Sequence, residues 1–266
     1  MIPVLLSIAG SDCSAGAGMQ ADLKTGVALG CYTLTAVTCV VSEVPGRVAG
    51  IVPMAAEFVA GQVRECLAAF PVAAIKTGML YSADIVRAVA AELPQNCPLV
   101  VDPVMIATAG EPLMQQQALA AYRECLFPRA TLLTPNADEL LRLSGRAAIC
   151  SAAQLRSAAQ ELAAQLGCAI LAKGGHLPGS TCCDILALPE GGTHAWEHER
   201  TEGISTHGTG CTLSAAVAAG LAQGLELVQA VEQGLAYTAQ AIAHSFRWES
   251  TYALNSNFHS TARLRR

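Results

Sequence analysis

The stretch Thr206-His-Gly-Thr-Gly-Cys-Thr-Leu-Ser-Ala-Ala-Val-Ala-Ala-Gly220 joins a glycine-rich loop to an alanine-rich run that is typical of a helix. Gly208 and Gly210 carry no Cβ, so the backbone at these positions can approach a ligand closely. The first amides of the helix have no partner within it and lie at the positive end of its dipole. This loop and helix therefore predict a binding site for an anion, most naturally a phosphoryl group.

Cys211 falls in the first turn of this predicted helix, where the pKa of a thiol tends to be lowered. Its neighbour His207 raises the alternative of a cysteine nucleophile, although the sequence offers no orienting partner for the histidine. A glycine-rich loop that serves only tight packing is a third interpretation. The rest of the chain favours the anion site.

Short apolar runs alternate with longer helical patterns, which predicts βαβ units, a largely parallel sheet and an α/β fold. The predicted strands are Val4–Ile8, Thr33–Val41, Ala73–Lys76, Leu99–Val101, Thr131–Leu133 and Ala169–Ala172, with an edge hairpin at Cys182–Leu188 and Thr193–Glu197. The predicted helices are Met19–Leu29, Glu57–Phe70, Ala83–Glu92, Gln115–Leu126, Ala137–Leu143, Ser151–Leu166, Thr212–Gln223 and Leu227–His244. We expect one domain over residues 1–266, with residues 245–266 as a frayed, peripheral tail.

Composition excludes several classes of protein. Apolar residues form 52% of the chain and charged residues 14%, so a large core is expected. A net charge of −5 argues against nucleic acid or an anionic membrane as the main partner. No run approaches the ~20 apolar residues that span a bilayer. Eleven cysteines without a Cys-x-x-Cys pair indicate free thiols and a cytoplasmic protein.

Most predicted strands end in a polar or glycine-containing cluster. In an open parallel sheet these carboxyl ends share one edge, and ligands bind there. The clusters are Gly10-Ser-Asp12, Ser42-Glu43, Lys76-Thr-Gly78, Asp102-Pro103, Thr134-Pro-Asn136 and Lys173-Gly-Gly-His176.

Gly16-Ala-Gly-Met-Gln-Ala21 matches the dinucleotide-binding pattern Gly-x-Gly-x-x-Ala, and Glu43 ends the next strand, where a ribose-binding acid would lie. This is the strongest rival prediction, a nicotinamide-dependent oxidoreductase. That pattern requires its glycines directly after the strand. Here Gly10-Ser-Asp-Cys-Ser-Ala15 intervenes, which argues against it.

Four polar residues at this edge have both a structural and a functional interpretation. Asp22, near the start of the first helix, either responds to the helix dipole or faces a substrate hydroxyl or ring nitrogen. Asn136 and Glu139 either cap a helix or hold Mg²⁺ waters near phosphates. Lys173 follows an apolar strand and either pairs with an acid or meets phosphate.

Together these motifs resemble a known family. They are Ala9-Gly-Ser-Asp12, Gly16-Ala-Gly-Met-Gln-Ala-Asp-Leu-Lys-Thr25, Lys76-Thr-Gly-Met79, Val101-Asp-Pro-Val-Met105, Leu133-Thr-Pro-Asn136, Lys173-Gly-Gly-His176 and His207-Gly-Thr-Gly-Cys211. Their order is similar to that of the hydroxymethylpyrimidine/phosphomethylpyrimidine kinases of the ribokinase-like superfamily, from the first strand to about Gly224.

The resemblance implies a three-layer α/β/α sandwich without a large lid, a homodimer, and an enzyme that uses ATP with Mg²⁺. It implies phosphorylation of 4-amino-5-hydroxymethyl-2-methylpyrimidine and then of its monophosphate, in thiamine biosynthesis. The implied site residues are Cys211 as the catalytic residue, the amides of Gly208, Thr209, Gly210 and Cys211 as the anion hole, Gly10, Asp22, Met79 and Val104 in the pyrimidine pocket, and Asn136, Glu139 and Lys173 on the side of ATP and metal.

The first departure from the family pattern concerns the substrate. The resemblance implies a glutamine that pairs with the aminopyrimidine, and this chain carries Glu43 there. Cys13 and Ala15 also replace a proline and a glycine of the first loop. A pyridoxal-type kinase of the same fold is therefore the second prediction, and a non-catalytic binder of small molecules is the alternative from another class.

Overall fold

The computed structural model describes residues 1–105, 114, 115, 117–175, 177–200, 207–249 and 251–258. The strands are β1 (Val4–Asp12), β2 (Tyr32–Val44), β3 (Arg47–Pro53), β4 (Val72–Thr77), β5 (Leu99–Val101), β6 (Leu132–Leu133), β7 (Ala169–Ala172), β8 (Thr181–Ala187), β9 (Thr193–Glu199), β10 (Phe246–Trp248) and β11 (Thr251–Ala253). The helices are α1 (Gly18–Ala28), α2 (Ala56–Ala69), α3 (Ala83–Glu92), α4 (Ala118–Ala121), α5 (Ala137–Ser144), α6 (Ala152–Leu166), α7 (Thr209–Ala222) and α8 (Leu227–Ala243). The predicted helix Gln115–Leu126 is shorter in α form, because a π-helical turn over Tyr122–Leu126 follows α4.

Nine strands form one sheet in the order β3-β2-β1-β4-β5-β6-β7-β8-β9. The six strands from β2 to β7 in that order pair in parallel, whereas β3, β8 and β9 pair antiparallel with their neighbours. This confirms the predicted largely parallel α/β sheet and the predicted hairpin at its edge.

Two apolar cores separate the sheet from its helices. Along β1, Val4, Leu6 and Ile8 point into one core, which α2, α3, α5 and α6 cover. Leu5 points into the other, together with residues of α7 and α8. Because successive side chains of a strand point to opposite faces, this alternation requires helices on both sides. The fold is therefore the expected three-layer α/β/α sandwich.

Two parts of the chain differ from the sequence-based expectation. Strand β3 was missed, since it is a mostly exposed edge strand interrupted by Gly50, with no run of buried side chains. The prediction of a frayed tail is wrong for residues 246–249 and 251–258. There β10 and β11 form a hairpin, and Leu254 and Phe258 pack against Tyr237 of α8. Residues 259–266 lie outside the described part.

The order of strands creates a crevice for a ligand. From β1 the chain runs through α1 to β2 on one side, and it returns through α2 to β4 on the other side. Because α1 and α2 cover opposite faces, the carboxyl ends of β1 and β4 diverge at a topological switch point. None of the helices in the described ranges is long and apolar enough to cross a membrane.

Candidate active site

Asp12, the last residue of β1, organises the loop that leads to α1. Its carboxylate accepts hydrogen bonds from the amides of Ser14, Gly16 and Ala17 at 2.7, 3.1 and 2.8 Å, and from the Ser14 hydroxyl at 2.9 Å. Burial alone would raise the pKa of Asp12, but His207 and these donors outweigh burial, and the pKa is lowered. Asp12 is therefore a buried carboxylate that folds the first loop around itself.

His207 ties the second glycine-rich loop to the first. Its Nε2 lies 3.0 Å from Asp12 Oδ2, which supplies the orienting partner that the sequence did not reveal. A Cβ on Gly208 would lie 1.9 Å from the carbonyl oxygen of Gly16, and the φ of Gly208 is +83°. Only glycine allows this backbone contact. The two loops are thus locked together at the mouth of the crevice.

Asp12, His207 and Glu43 place three ligand atoms within 4.8 Å of one another, a spacing that a metal ion could bridge. Asp12 Oδ2 already accepts from Ser14, Gly16, Ala17 and His207. A metal would have to displace these donors. The cluster is better described as a hydrogen-bonded latch between the loops, with Glu43 at its side.

Helix α7 begins at Thr209, two residues after His207 of the latch, and Gly208 is its N-cap. Its first amides therefore face the crevice. Gly208, Thr209, Gly210 and Cys211 are all partly exposed. The predicted lowering of the Cys211 pKa is wrong. Burial raises the pKa of this thiol to about 12, and the Lys76 ammonium and the Gly18 amide offset only part of the effect. Cys211 is therefore a protonated thiol at neutral pH.

Asp22 lies beneath Cys211 and not at an open edge. Lys76 Nζ donates to both its carboxylate oxygens at 2.8 Å, and the Ser7 hydroxyl donates to Oδ2 at 2.6 Å. Burial lowers the pKa of Lys76, but its acidic neighbours, Asp22 foremost, together raise it more, so the lysine stays charged. Both side chains are completely buried. Asp22 therefore holds Lys76 and shows no oxygen free for a ligand.

A second lysine lies over the anion loop. Lys173 Nζ is 3.5 Å from Asp102 Oδ1, and a Cβ on Gly210 would come within 3.2 Å of the same nitrogen. Burial lowers the pKa of Lys173, but its acidic neighbours, chiefly Asp102 and Glu139, together raise it by more, so the net shift is upward. The Ser214 hydroxyl, on α7, lies 3.2 Å from Asp102 Oδ2. The ammonium is thus fixed beside the first turn of α7.

Asn136 and Glu139 form a reciprocal capping box at the start of α5. Asn136 Oδ1 accepts from the Glu139 amide at 2.9 Å, and Glu139 Oε2 accepts from the Asn136 amide at 2.8 Å. This is the structural role that the sequence allowed. The carboxyl group is nevertheless unusual, because burial raises the pKa of Glu139 to about 7.

An apolar wall lies at the carboxyl ends of β1, β2 and β4. Met79 packs there with Cys39 and Val41, and Val104 joins them from the segment after β5. A Cβ on Gly10 would lie 2.8 Å from the Cys39 sulfur. The structure therefore brings together Gly10, Met79 and Val104, whereas Asp22 is completely buried and bonded to Lys76.

Glu43, near the end of β2, is half-buried beside the latch. Burial and the Asp12 carboxylate raise the pKa of Glu43, and His207 lowers it by a smaller amount. Thr206 and His176, which belong to two of the quoted motifs, lie outside the described residues.

Sequence reasoning missed Asp12, Lys76 and Asp102 as site residues, although each lies in a quoted motif. A usable signal existed for Lys76. It interrupts the apolar run Val72–Thr77, and it shares a sheet face with Ala74, which is buried against α7. A lysine in such a place is almost always paired.

Comparison with known proteins gives consistent results. A family model described as phosphomethylpyrimidine kinase matches residues 12–254. The hydroxymethylpyrimidine/phosphomethylpyrimidine kinase of Rhizobium meliloti (strain 1021) is 39% identical over 257 residues, 94% of this chain and 94% of that protein. The enzyme of the same name from Streptomyces coelicolor is 40% identical over 246 residues, covering 92% and 90%.

Solved structures confirm the fold. The pyridoxal kinase of Staphylococcus aureus in complex with ADP superposes with a TM-score of 0.88 at 31% identity, covering 97% of this chain and 95% of that one. The phosphomethylpyrimidine kinase of Clostridium difficile 630 gives a TM-score of 0.77 at 33% identity, covering 90% and 99%.

Proposed function

The chain belongs to the phosphomethylpyrimidine kinase family, and from that premise we propose that the crevice at β1 and β4 transfers phosphoryl groups from ATP to a pyrimidine alcohol. The chain is a phosphotransferase, a hydroxymethylpyrimidine/phosphomethylpyrimidine kinase of thiamine biosynthesis. The first acceptor would be the hydroxymethyl group of 4-amino-5-hydroxymethyl-2-methylpyrimidine, and the second would be its monophosphate.

The observation that supports this site best is the position of Lys173 against Gly210. A fixed ammonium and the first amides of α7 converge on one point, and both favour a phosphoryl anion. Phosphoryl transfer depends chiefly on positioning and on stabilising the charge of the transferred group. The amides of Gly208–Cys211 and Lys173 would supply that stabilisation.

Cys211 would hold the acceptor hydroxyl in line with the phosphoryl group. In the transfer the hydroxyl oxygen forms the new bond to phosphorus, the bond to the ADP oxygen breaks, and the hydroxyl proton passes to the Cys211 sulfur, which must first have lost its own proton to solvent. A thiol with a pKa of about 12 is a poor base in the free protein. We propose that Cys211 first orients the hydroxyl, and that Lys76 stabilises the thiolate when the thiol takes part in proton transfer.

The apolar wall and Glu43 would hold the pyrimidine ring. Gly10 lets the Cys39 and Met79 sulfur atoms pack against its backbone, and a flat ring could lie against the wall that they form. Glu43 would face the edge of the ring that carries the amino group. Asp22 would act on the site indirectly, because its carboxylate holds the Lys76 ammonium beneath Cys211.

The residues on the ATP side fit Mg²⁺, which prefers oxygen ligands. Asp102 and Glu139 both act electrostatically on Lys173, and the raised pKa of Glu139 marks a buried carboxyl group that a nearby cation would stabilise in its charged form. Asn136 orients Glu139 through the capping box. When bound, the ion would neutralise charge on the ATP phosphates.

A coupled assay of ADP release tests the function directly. We expect turnover with the hydroxymethylpyrimidine and with its monophosphate, and dependence on added Mg²⁺. Absence of ATP consumption with either acceptor would contradict the proposal and favour a non-catalytic binder. Pyridoxal belongs in the same assay, because the S. aureus structural relatives are pyridoxal kinases. Pyridoxal turnover above that of the pyrimidine would make the second prediction the correct one.

We further propose a homodimer built on β2 and β3. Val40 and Val52 lie directly opposite each other in this pair, and both are exposed, at 46% and 63%. An edge strand with such side chains is suited to association with a second copy. Light scattering of the wild type and of Val52→Asp would test it, and a monomeric wild type would contradict it.

The eleven free cysteines also support a reducing compartment such as the cytoplasm.

A further inference from the structure

A buried carboxylate outside the crevice controls the main chain next to Lys173. Asp184 lies in the middle of β8 and is only 5% exposed. Its Oδ1 accepts a hydrogen bond from the Gly174 amide at 2.9 Å, and its Oδ2 lies 3.1 Å from His198 Nε2 on β9. Burial of a carboxylate is costly unless both oxygens are bonded. Here one of the two oxygens accepts from the amide of Gly174, the residue that follows Lys173.

The backbone on both sides of the Lys173 side chain is held by other elements. The Lys173 amide donates to the carbonyl oxygen of Pro135 at 2.9 Å, and the next amide, that of Gly174, donates to Asp184. Gly174 packs so closely on β8 that a Cβ would lie 2.1 Å from the Cys183 carbonyl oxygen. The direction in which Lys173 leaves β7 is therefore set by the β8–β9 hairpin.

Arg200, directly after β9, holds the rest of this turn. Its guanidinium donates to the carbonyl oxygens of Gly175, Leu177 and Gly179, and its own amide donates to the Ser180 carbonyl at 2.8 Å. One side chain thus fixes three carbonyls of the turn, those of Gly175, Leu177 and Gly179. The turn is therefore held at two places. Asp184 accepts from the amide of its first residue, Gly174, and Arg200 donates to carbonyl oxygens further along it.

We propose that Asp184 is a positioning residue for ATP, which keeps Lys173 over the first turn of α7 by holding the Gly174 amide. The inference rests on the proposed function, because it assumes that Lys173 meets the ATP phosphates. Asp184 itself touches no reacting group. None of the described residues that we place in the pyrimidine pocket bonds to Asp184, so its effect should be confined to the ATP side.

Asp184→Ala leaves the Gly174 amide without its buried acceptor. We expect KM for ATP to rise roughly tenfold, since a lost buried hydrogen bond is worth about that factor. KM for the pyrimidine should stay within about twofold. A matched control is His198→Ala, which removes the other partner of the carboxylate and leaves the Gly174 hydrogen bond in place. It should leave KM for ATP unchanged at neutral pH.

Asp184→Asn provides a signature that general destabilisation cannot give. The asparagine has one carbonyl oxygen, which neutral His198 leaves available to the Gly174 amide. Asp184 raises the pKa of His198 in the wild type, and Glu197 and Glu199 flank that histidine on β9 while Arg156 lies near Cys183. Protonated His198 would compete for the single oxygen. KM for ATP should therefore be near wild type at pH 8 and rise several-fold at pH 5.5 in this variant alone.

Gly174→Ala is the second route to the same outcome if Asp184→Ala does not fold, because the added Cβ pushes the turn from β8 while Asp184 remains.

Lys173→Met separates the proposed role of Lys173 from the inference about Asp184. If Lys173→Met leaves KM for ATP unchanged, the proposed role of Lys173 fails. If Lys173→Met raises it and Asp184→Ala and Gly174→Ala, both folded by circular dichroism, do not, only the inference about Asp184 fails. A pH-independent KM in Asp184→Asn would also overturn it.

Discussion

Lys76 Nζ lies 2.8 Å from both carboxylate oxygens of Asp22, and neither side chain is exposed to solvent. The pair lies beneath the first turn of α7 and acts on Cys211. Lys173 and Asp102 form a second lysine–aspartate pair that also acts on this thiol. Cys211 therefore has two fixed ammonium groups near it, each balanced by its own carboxylate.

Lys76→Met should destabilise the protein by about 3–5 kcal/mol, because it leaves the Asp22 carboxylate buried without its partner. Lys76→Met combined with Asp22→Asn removes both charges and should recover much of that loss. Urea unfolding of the wild type, both single variants and the double variant measures the coupling. A double variant no more stable than Lys76→Met would contradict the explanation.

The double variant also reports on Cys211. The Lys76 ammonium lowers the pKa of Cys211 by more than the Asp22 carboxylate raises it. Loss of both charges should therefore raise the thiol pKa, so alkylation of Cys211 by iodoacetamide at pH 9 should be slower than in the wild type. Peptide mapping by mass spectrometry distinguishes Cys211 from the other cysteines. The exposed Cys150 serves as an internal control, and its rate should not change.

Cys211→Ala should lower kcat by ~10²–10⁴-fold while ATP still binds, as is typical when a positioned acid–base group is lost. The physical reason is that the thiol lies in the first turn of α7, whose amides form the proposed anion hole. Stopped-flow turnover and ATP titration measure the two quantities separately. A near-native kcat would mean that the backbone amide of Cys211, and not its thiol, contributes to catalysis. Cys211→Ser separates orientation from proton transfer, because a hydroxyl can orient the acceptor but ionises less readily.

Gly208→Ala should abolish most activity and leave the rest of the fold intact. The added Cβ would lie 1.9 Å from the Gly16 carbonyl oxygen, and φ is +83°. Gly224→Ala is a matched control, since its φ is +85° with no atom within 4 Å of the added Cβ. Both substitutions carry the strain of a positive φ, but only Gly208→Ala separates the two loops. Equal kcat values in the two variants would contradict the role of this contact.

The sequence was most informative where local pattern and tertiary environment agree. Parallel strands buried on both faces read as apolar runs, so β4 and β7 could be located closely. Strand β3 could not, because an exposed edge strand has no buried face to produce a pattern. The end of the chain was missed for a related reason, since the buried apolar side chains among residues 251–258 are Leu254 and Phe258, which form no periodic pattern.

The site was predictable by position and less so by chemistry. Strand ends placed Lys173 and Thr134-Pro-Asn136 at one edge, and the first helical turn placed Cys211. In the structure Glu139 and Cys211 both act electrostatically on Lys173. The first-turn position suggested a lowered thiol pKa for Cys211. Burial, which depends on the packing of α7 against α1 and β4, reversed the sign. Pairs such as Asp12 with His207 are separated by 195 positions, and no local pattern could connect them.

Glu139→Gln should raise the Mg²⁺ concentration required for half-maximal rate. The pKa of Glu139 is raised to about 7, so its carboxyl group loses its proton as pH rises through 7. Mg²⁺ competes with that proton, and the wild-type Mg²⁺ requirement should therefore increase as pH falls from 8 to 6. In the variant the requirement should be higher and independent of pH, while the capping box survives, since glutamine also accepts from the Asn136 amide. Asp138→Asn, at an exposed neighbouring position, is the control. Identical Mg²⁺ curves for wild type and Glu139→Gln would leave Glu139 with capping alone.

The last prediction concerns Glu43, where the resemblance implied glutamine. A 4-aminopyrimidine edge offers one N–H donor beside one ring-nitrogen acceptor, and a glutamine side chain answers both. An ionised carboxylate only accepts, so its second oxygen would face a ring lone pair. The contact becomes favourable when one proton is added, on the ring nitrogen or on Glu43. Burial and Asp12 already raise the pKa of Glu43, which favours the protonated form.

The sign of the pH effect follows from this proton. The complex holds a proton that the free partners lose at high pH, so pyrimidine affinity should weaken as pH rises above neutrality. Glu43→Gln should retain activity and remove the dependence, because the amide supplies the donor at every pH. Titration of pyrimidine Kd against pH for both proteins is the measurement, with ATP Kd as the control that should not change. Parallel profiles would show that Glu43 does not touch the pyrimidine. The pairing of Asp12 with His207 next to Glu43 would then be the group to test, since His207 also titrates with a raised pKa and loses its proton as pH rises.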